Sequence, residues 1–226
     1  MPERPQQIVV LLHDMSDSPL GWQDQVVALP PDWRPLTPWL RGMKPTDRED
    51  FDLQAAADAL GVVPLEYGVD SFVICGVGLG ATVALRCAAD SPDMVRGLLL
   101  VTPLIAPPGP MLAMQRAALR MTPRSRLAAR NVDKDRLLAA MDMLAGIDLD
   151  DAPEAVTCPS LIVSSSDQRG GAEQARQLAG RMQRARTVPL AGLPPQKADP
   201  QAFNTVLLDF LASLDEQGGE QADTRG

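Results

Sequence analysis

A single histidine, a single tyrosine, three cysteines and an aromatic content of 4% are the scarcities of this 226-residue chain. One histidine and scattered carboxylates offer no metal-ligand spacing, so no metal and no other cofactor is expected. The cysteines, Cys75, Cys87 and Cys158, are odd in number and lack CxxC spacing. They read as buried thiols, which excludes a zinc or disulfide framework. Positive charge is also short, with 21 Lys+Arg against 29 Asp+Glu and a net charge of −8. Without a basic face or a basic run, neither nucleic acid nor an anionic membrane is expected as a partner. No apolar run approaches the roughly 18 residues needed to cross a bilayer. The opening MPERPQQIVVLLHDM has no n-region, long h-region or cleavage site, so a cytoplasmic location is expected.

What is present is a hydrophobic content of 45%, enough in a chain of this length for one sizeable core and one domain overall. Short apolar runs of the kind buried on both faces of a parallel sheet alternate with segments of helical period. The runs are 8–12 (IVVLL), 72–75 (FVIC), 98–101 (LLLV) and 161–163 (LIV), with weaker ones at 34–37 and 187–190. Helices are predicted over 21–29, 51–60, 79–89, 172–182 and 200–214, the last opening with Pro200 after a cap at Asp199. The pattern predicts an α/β fold, a mostly parallel sheet of about six strands with helices on both faces.

The stretch 104–152 breaks the alternation. It begins with the linker-like Ala106-Pro107-Pro108-Gly109-Pro110, then carries helical pattern with no strand, and reads as a helical insert between core segments 1–103 and 153–215. It holds Met111, Met114, Met121, Met141 and Met143 and a basic group from Arg116 to Arg136. Either the methionines are helix core and the arginines pair with Asp133, Asp135 and Asp142, or the insert is a lid over an apolar pocket. The polar 216–226 is expected to be a disordered tail.

Four stretches in order resemble the α/β-hydrolase superfamily. Residues 8–22 (IVVLLHDMSDSPLGW) are similar to its first core strand and oxyanion loop, and 37–42 (TPWLRG) to the stretch after the next strand. Residues 72–86 (FVICGVGLGATVALR) look like the strand, nucleophile elbow and following helix. Residues 159–167 (PSLIVSSSD) and 191–203 (AGLPPQKADPQAF) resemble the acid-bearing strand end and the base-bearing loop. The resemblance implies a Ser-His-Asp triad raised on a strand-to-helix turn.

The residues at those positions depart from it. The middle of Gly76-Val77-Gly78-Leu79-Gly80 is Gly78, which has no side chain to attack with, and the base position is Leu193. Asp167 alone remains at an acid position, with capping of the helix near Gly171 or holding of loop amides as the competing role. His13 falls at a structural position of the oxyanion loop, and the usual glycine after it is Asp14. An acidic side chain there opposes the anion of an acyl-transfer transition state. The backbone N–H groups of Met15 and Leu79, beside Thr102 at the end of the next strand, are expected to point into a pocket. There a carbonyl, carboxylate or water could stand in the room left by Gly78. Ser164, Ser165, Ser166, Thr102 and Cys75 are other nucleophile candidates without an evident base.

The expected function is therefore that of a hydrolase-fold protein with a degenerate triad, binding a small apolar or carboxylated molecule without hydrolysing it. An active esterase-like hydrolase, or an isomerase or lyase built on Asp14 and Asp167, is the alternative. A structural or complex subunit, including a homo-oligomer, is the second alternative. Reading Gly76 to Ala81 as a dinucleotide fingerprint fits the order of elements less well.

Overall fold

A computed structural model of the chain describes residues 7–104, 109–129, 131–146, 149 and 151–223. The strands are β1 Gln7–Leu12, β2 Trp33–Leu36, β3 Phe72–Val77, β4 Val95–Val101, β5 Ser160–Ser165 and β6 Ala185–Leu190. They form one parallel sheet in the order β2-β1-β3-β4-β5-β6. Each of the four strong apolar runs lies within a strand, because a strand covered on both faces has no position that favours a polar side chain.

Between strands lie α1 Gln23–Ala28, α2 Leu53–Asp58, α3 Val63–Tyr67, α4 Leu79–Asp90, α5 Gly109–Met121, α6 Arg124–Ala128, α7 Lys134–Leu144, α8 Ala152–Ala155, α9 Gly171–Arg181, α10 Pro195–Ala198 and α11 Pro200–Asp223. Alternate residues of each strand feed two cores. Ile8, Val10, Leu12 and Ile74 pack with α2, α3 and α4 on one face. Val9, Leu11, Val73 and Cys75 pack with Trp22 and with Phe203, Phe210 and Leu214 of α11 on the other. Asp199 caps α11 as expected, accepting from the Ala202 N–H at 3.0 Å.

Three sequence expectations change. The helix expected over 21–29 begins with a 3₁₀ turn, Pro19–Trp22, and the one over 51–60 is the shorter α2 running into a 3₁₀ turn Ala59–Val62, after which comes α3, which was not expected. Pro64 stands in the first turn of α3, where its missing N–H costs no helical hydrogen bond. Helix α11 continues through the expected tail to Asp223, with Asp215 ion-paired to Arg96 and accepting from Gln7. The segment between β4 and β5 is helical among its described residues, while 105–108 of its linker, and Arg130, lie outside them.

Strand order reverses direction around β1 and β3, which are neighbours although β2 intervenes in sequence. Such a switch point opens a crevice at the carboxyl ends of the strands, where loops leave in opposite directions. Here it brings the loop after Leu12 against the turn after Val77.

Candidate active site

The turn at the end of β3 is a tight strand-to-helix elbow. Gly78 sits at φ +53°, a conformation that favours glycine, its N–H donates to Val101 O at 2.9 Å, and Leu79 starts α4. A Cβ on Gly76 would strike the Gly80 carbonyl, and one on Gly80 would strike the Leu12 carbonyl. Those two glycines therefore permit close approach of helix and strands. Thr82, fully buried in α4, ties the elbow down by donating from Oγ1 to Gly78 O at 3.2 Å or Leu104 O at 3.1 Å.

Gly78 does not leave an open space. The Asp14 carboxylate reaches across from the β1 loop, and a Cβ built on Gly78 would overlap its Oδ1. That oxygen accepts from the Leu79 N–H at 3.1 Å. The other oxygen, Oδ2, accepts from Ser16 Oγ at 2.8 Å and Ser16 N at 3.4 Å. The room expected for a ligand carbonyl or carboxylate thus holds the chain's own carboxylate, and the Leu79 donor expected to face a ligand is engaged. Met15 turns its side chain into the core.

His13 is a structural tie. Its Nδ1 donates to the Asp14 carbonyl at 2.8 Å and its Nε2 accepts from the Leu40 N–H at 3.1 Å, which requires the neutral tautomer with hydrogen on Nδ1. Burial pushes its pKa below the usual histidine value against the pull of Asp14 and Asp17. Both ring nitrogens are used, so it holds no lone pair free to take a proton. Trp39 packs edge-on against the ring with centroids 5.1 Å apart.

The positions expected to correspond to the acid and the base lie near each other, on the side of β5 and β6. Asp167 Oδ2 accepts from the Gly192 N–H at 3.0 Å. Ser165 Oγ donates to Gly192 O at 2.6 Å and accepts from Asp167 N at 3.2 Å. Asp167 therefore holds a loop amide one residue before Leu193, and α9 has no side-chain cap from it. Leu193 is 60% exposed, an apolar side chain with no polar role. Lys197, four residues on, ion-pairs with Asp17 and so joins the base-position loop to the β1 loop.

Of the remaining candidates, Thr102 follows β4 at φ +43° with its N–H on Val163 O at 2.9 Å. All three cysteines are free and buried. Burial raises each thiol, to about 12 for Cys87 and about 11 for Cys158, and well above its ordinary value for Cys75. Protonated thiols are poor nucleophiles. No group of three metal-ligating side chains exists among the described residues.

A cavity of about 380 Å³ lies beside the edge strand β2, lined by Val10, Leu36, Trp39, Leu60, Val63 and Tyr67. In the insert, Arg116 pairs with Asp142 and Arg124 with Asp135 at 2.8 Å, while Asp133 caps α7. Arg136 donates to the carbonyls of Gly42, Asp47 and Glu49, which fastens α7 to the loop after β2. Met141 is core, whereas Met114 and Met121 are exposed, contrary to the expectation of methionines as helix core. Residue-type patterns found the glycines, Asp14 and Asp167. They missed Ser16, Thr82 and Lys197, which act through tertiary contacts and leave no spacing signal, and Ser165, named as a possible nucleophile, instead ties the loop at Gly192.

A model of the alpha/beta hydrolase family matches residues 9–206. "Putative carbamate hydrolase RutD" of Klebsiella pneumoniae (strain 342) is 25% identical over 199 residues, covering 73% of this chain and 75% of that protein. The protein of that name from Escherichia coli (strain K12 / DH10B) is 23% identical and covers 92% of each. The enol-lactonase from Burkholderia xenovorans LB400 superposes with a TM-score of 0.79 at 18% identity over 94% of each chain. A thermophilic esterase from Thermogutta terrifontis gives 0.77 at 20% identity, over 92% of this chain and 90% of its own. A parallel six-stranded sheet, a glycine elbow at its switch point and a family match over most of the length have one reading: this chain belongs to the alpha/beta hydrolase family.

Proposed function

We propose that this family member binds a small molecule without Ser-His hydrolysis. The observation that supports this reading is the Asp14 carboxylate, which fills the space of a residue-78 side chain and takes the Leu79 amide. An acyl-transfer oxyanion would need that amide, and a carboxylate beside it destabilises the developing charge. Leu193, in the base position, adds no proton acceptor. The insert, helical among its described residues, is the candidate lid, and its α7 is held against the loop after β2 by Arg136. Three buried thiols suit a reducing, cytoplasmic setting.

A second reading, hydrolysis by substitute residues, draws its support from the names of the relatives, a carbamate hydrolase and an enol-lactonase. Those names favour it over the first reading. In that case Asp14 is the carboxylate placed to activate water, and Asp167 the one held beside residue 193.

The two readings separate on turnover of p-nitrophenyl acetate and a p-nitrophenyl carbamate by wild type, Asp14→Asn and Asp167→Asn. Rates at the buffer background in all three proteins are expected. A wild-type rate well above background that drops in either variant establishes the second reading instead.

A further inference from the structure

The cavity of about 380 Å³ lies between β2 with the loop after it and the segment from α2 to α3. Small-molecule sites run from roughly 300 to 1,000 Å³, so its size suits a compact ligand. Its deeper wall is the buried Val10, Leu12, Leu60 and Val63. Two half-buried rings, Trp39 and Tyr67, complete it, and each is held by a residue outside the lining. His13, itself fixed by two hydrogen bonds, packs edge-on against Trp39. The Arg34 guanidinium lies over the Tyr67 ring, 4.8 Å from its centroid. These walls are set before anything binds, which lowers the ordering cost of taking up a ligand.

The polar side chains of the lining are a second, independent observation. Thr37, Glu66 and Tyr67 make no side-chain hydrogen bond or ion pair to another described residue. Arg41, the cation of the lining, is exposed and paired with Glu49 at 2.7 Å. Glu66 is exposed as well, so water screens its charge while its oxygens still accept hydrogen bonds.

We propose that this cavity is the small-molecule site and that its ligand is an uncharged aromatic molecule bearing a hydroxyl group. This rests on the reading that the protein binds a small molecule, and it places the ligand at the edge of the sheet instead of the glycine elbow expected from sequence. A carboxylate would meet Glu66 and find Arg41 already paired. An ammonium group would lose water against apolar walls in return for an ion pair that solvent weakens. A hydroxyl group costs less to bury, and because it both donates and accepts it suits a carboxylate and two hydroxyls alike. An aryl body matches the Trp39 and Tyr67 rings.

Trp39 reports on the cavity, since Trp22 and Trp33 belong to the core on the other face of the sheet. The test follows the tryptophan indole N–H signals and the Leu79 amide by ¹⁵N NMR during titration with 2-phenylethanol, 2-phenylethylammonium and 3-phenylpropionate. The alcohol is expected to shift Trp39 and to bind more tightly than either ion. Ala59 lines the cavity from an exposed position, so Ala59→Phe fills it from the rim and should abolish the shift without lowering the melting temperature. Thr37→Val with Tyr67→Phe should weaken the alcohol roughly fivefold, the worth of one hydrogen bond. The proposal is overturned if no probe moves Trp39, if either ion binds as tightly as the alcohol, or if Ala59→Phe or the double variant binds unchanged. Shifts centred on Leu79 instead of Trp39 overturn this location and keep the ligand-binding reading. Ester or carbamate turnover overturns only the non-hydrolytic reading, and the titration then still decides the cavity.

Discussion

The Asp14 carboxylate occupies the position that any side chain at residue 78 would need, so the acid in the β1 loop and the glycine in the elbow are a matched pair. A side chain cannot be introduced at residue 78 without moving Asp14.

Gly78→Ser is expected to destabilise the protein and to create no hydrolase. A non-glycine residue held at φ +53° costs about 1–3 kcal/mol, and the new Cβ also evicts Asp14 from Leu79 N. Urea unfolding should show the loss, and Asp14→Gly in the same chain should restore part of it. Equal stability of Gly78→Ser and wild type would mean that the two loops yield easily and that the pair is not matched.

Leu193→His by itself should leave ester hydrolysis at background, since no nucleophile faces it. Its side chain is 60% exposed, so stability should move by no more than about 0.5 kcal/mol. A measured rate gain would point to an unrecognised nucleophile.

Asp167→Ala removes the acceptor for Gly192 N. A loss of about 1 kcal/mol is expected, with faster hydrogen exchange confined to the loop between β6 and α10. Exchange that stays slow at Gly192 would show that Ser165 alone holds the loop.

His13 is neutral in the fold because burial lowers its pKa, whereas in the unfolded chain it titrates near the ordinary value of 6.5. The folded state then binds fewer protons than the unfolded one as pH falls below about 6.5. The stability contribution of the neutral ring is present above that pH and is lost as pH drops through the lowered folded value. Urea midpoints at pH 7.5 and 5.5 should differ more for wild type than for His13→Asn. An identical difference in both proteins would assign the acid sensitivity to other groups.

Arg136→Ala should loosen the insert, since its guanidinium donates to three carbonyls of the loop after β2. Hydrogen bonds to a charged group are worth about 1.5–3 kcal/mol where burial is substantial. Limited proteolysis near the α6–α7 junction should therefore accelerate while the sheet stays protected. Unchanged cleavage would place the anchoring of α7 in Leu137, Ala140 and Met141 instead.

The sequence by itself determined the sheet and its helices, because period and apolar run length express burial on one face or two, and these are local properties. It also determined that residues 78 and 193 carry neither nucleophile nor base, which is a matter of identity alone. Helix ends were less legible: α11 outran its apolar stripe, and the helix expected over 51–60 tightened into a 3₁₀ turn before a further helix, α3. Only the tertiary structure decided what stands in the place of the missing side chain. Asp14 and Gly78 are 64 positions apart, and their contact exists because β1 and β3 become neighbours with Leu12 opposite Gly76. The same holds for Asp167 with Gly192 and Lys197 with Asp17. A carboxylate in a loop reads as polar surface until the strand order places a helix amide in front of it, and that order is set by packing across the whole sheet.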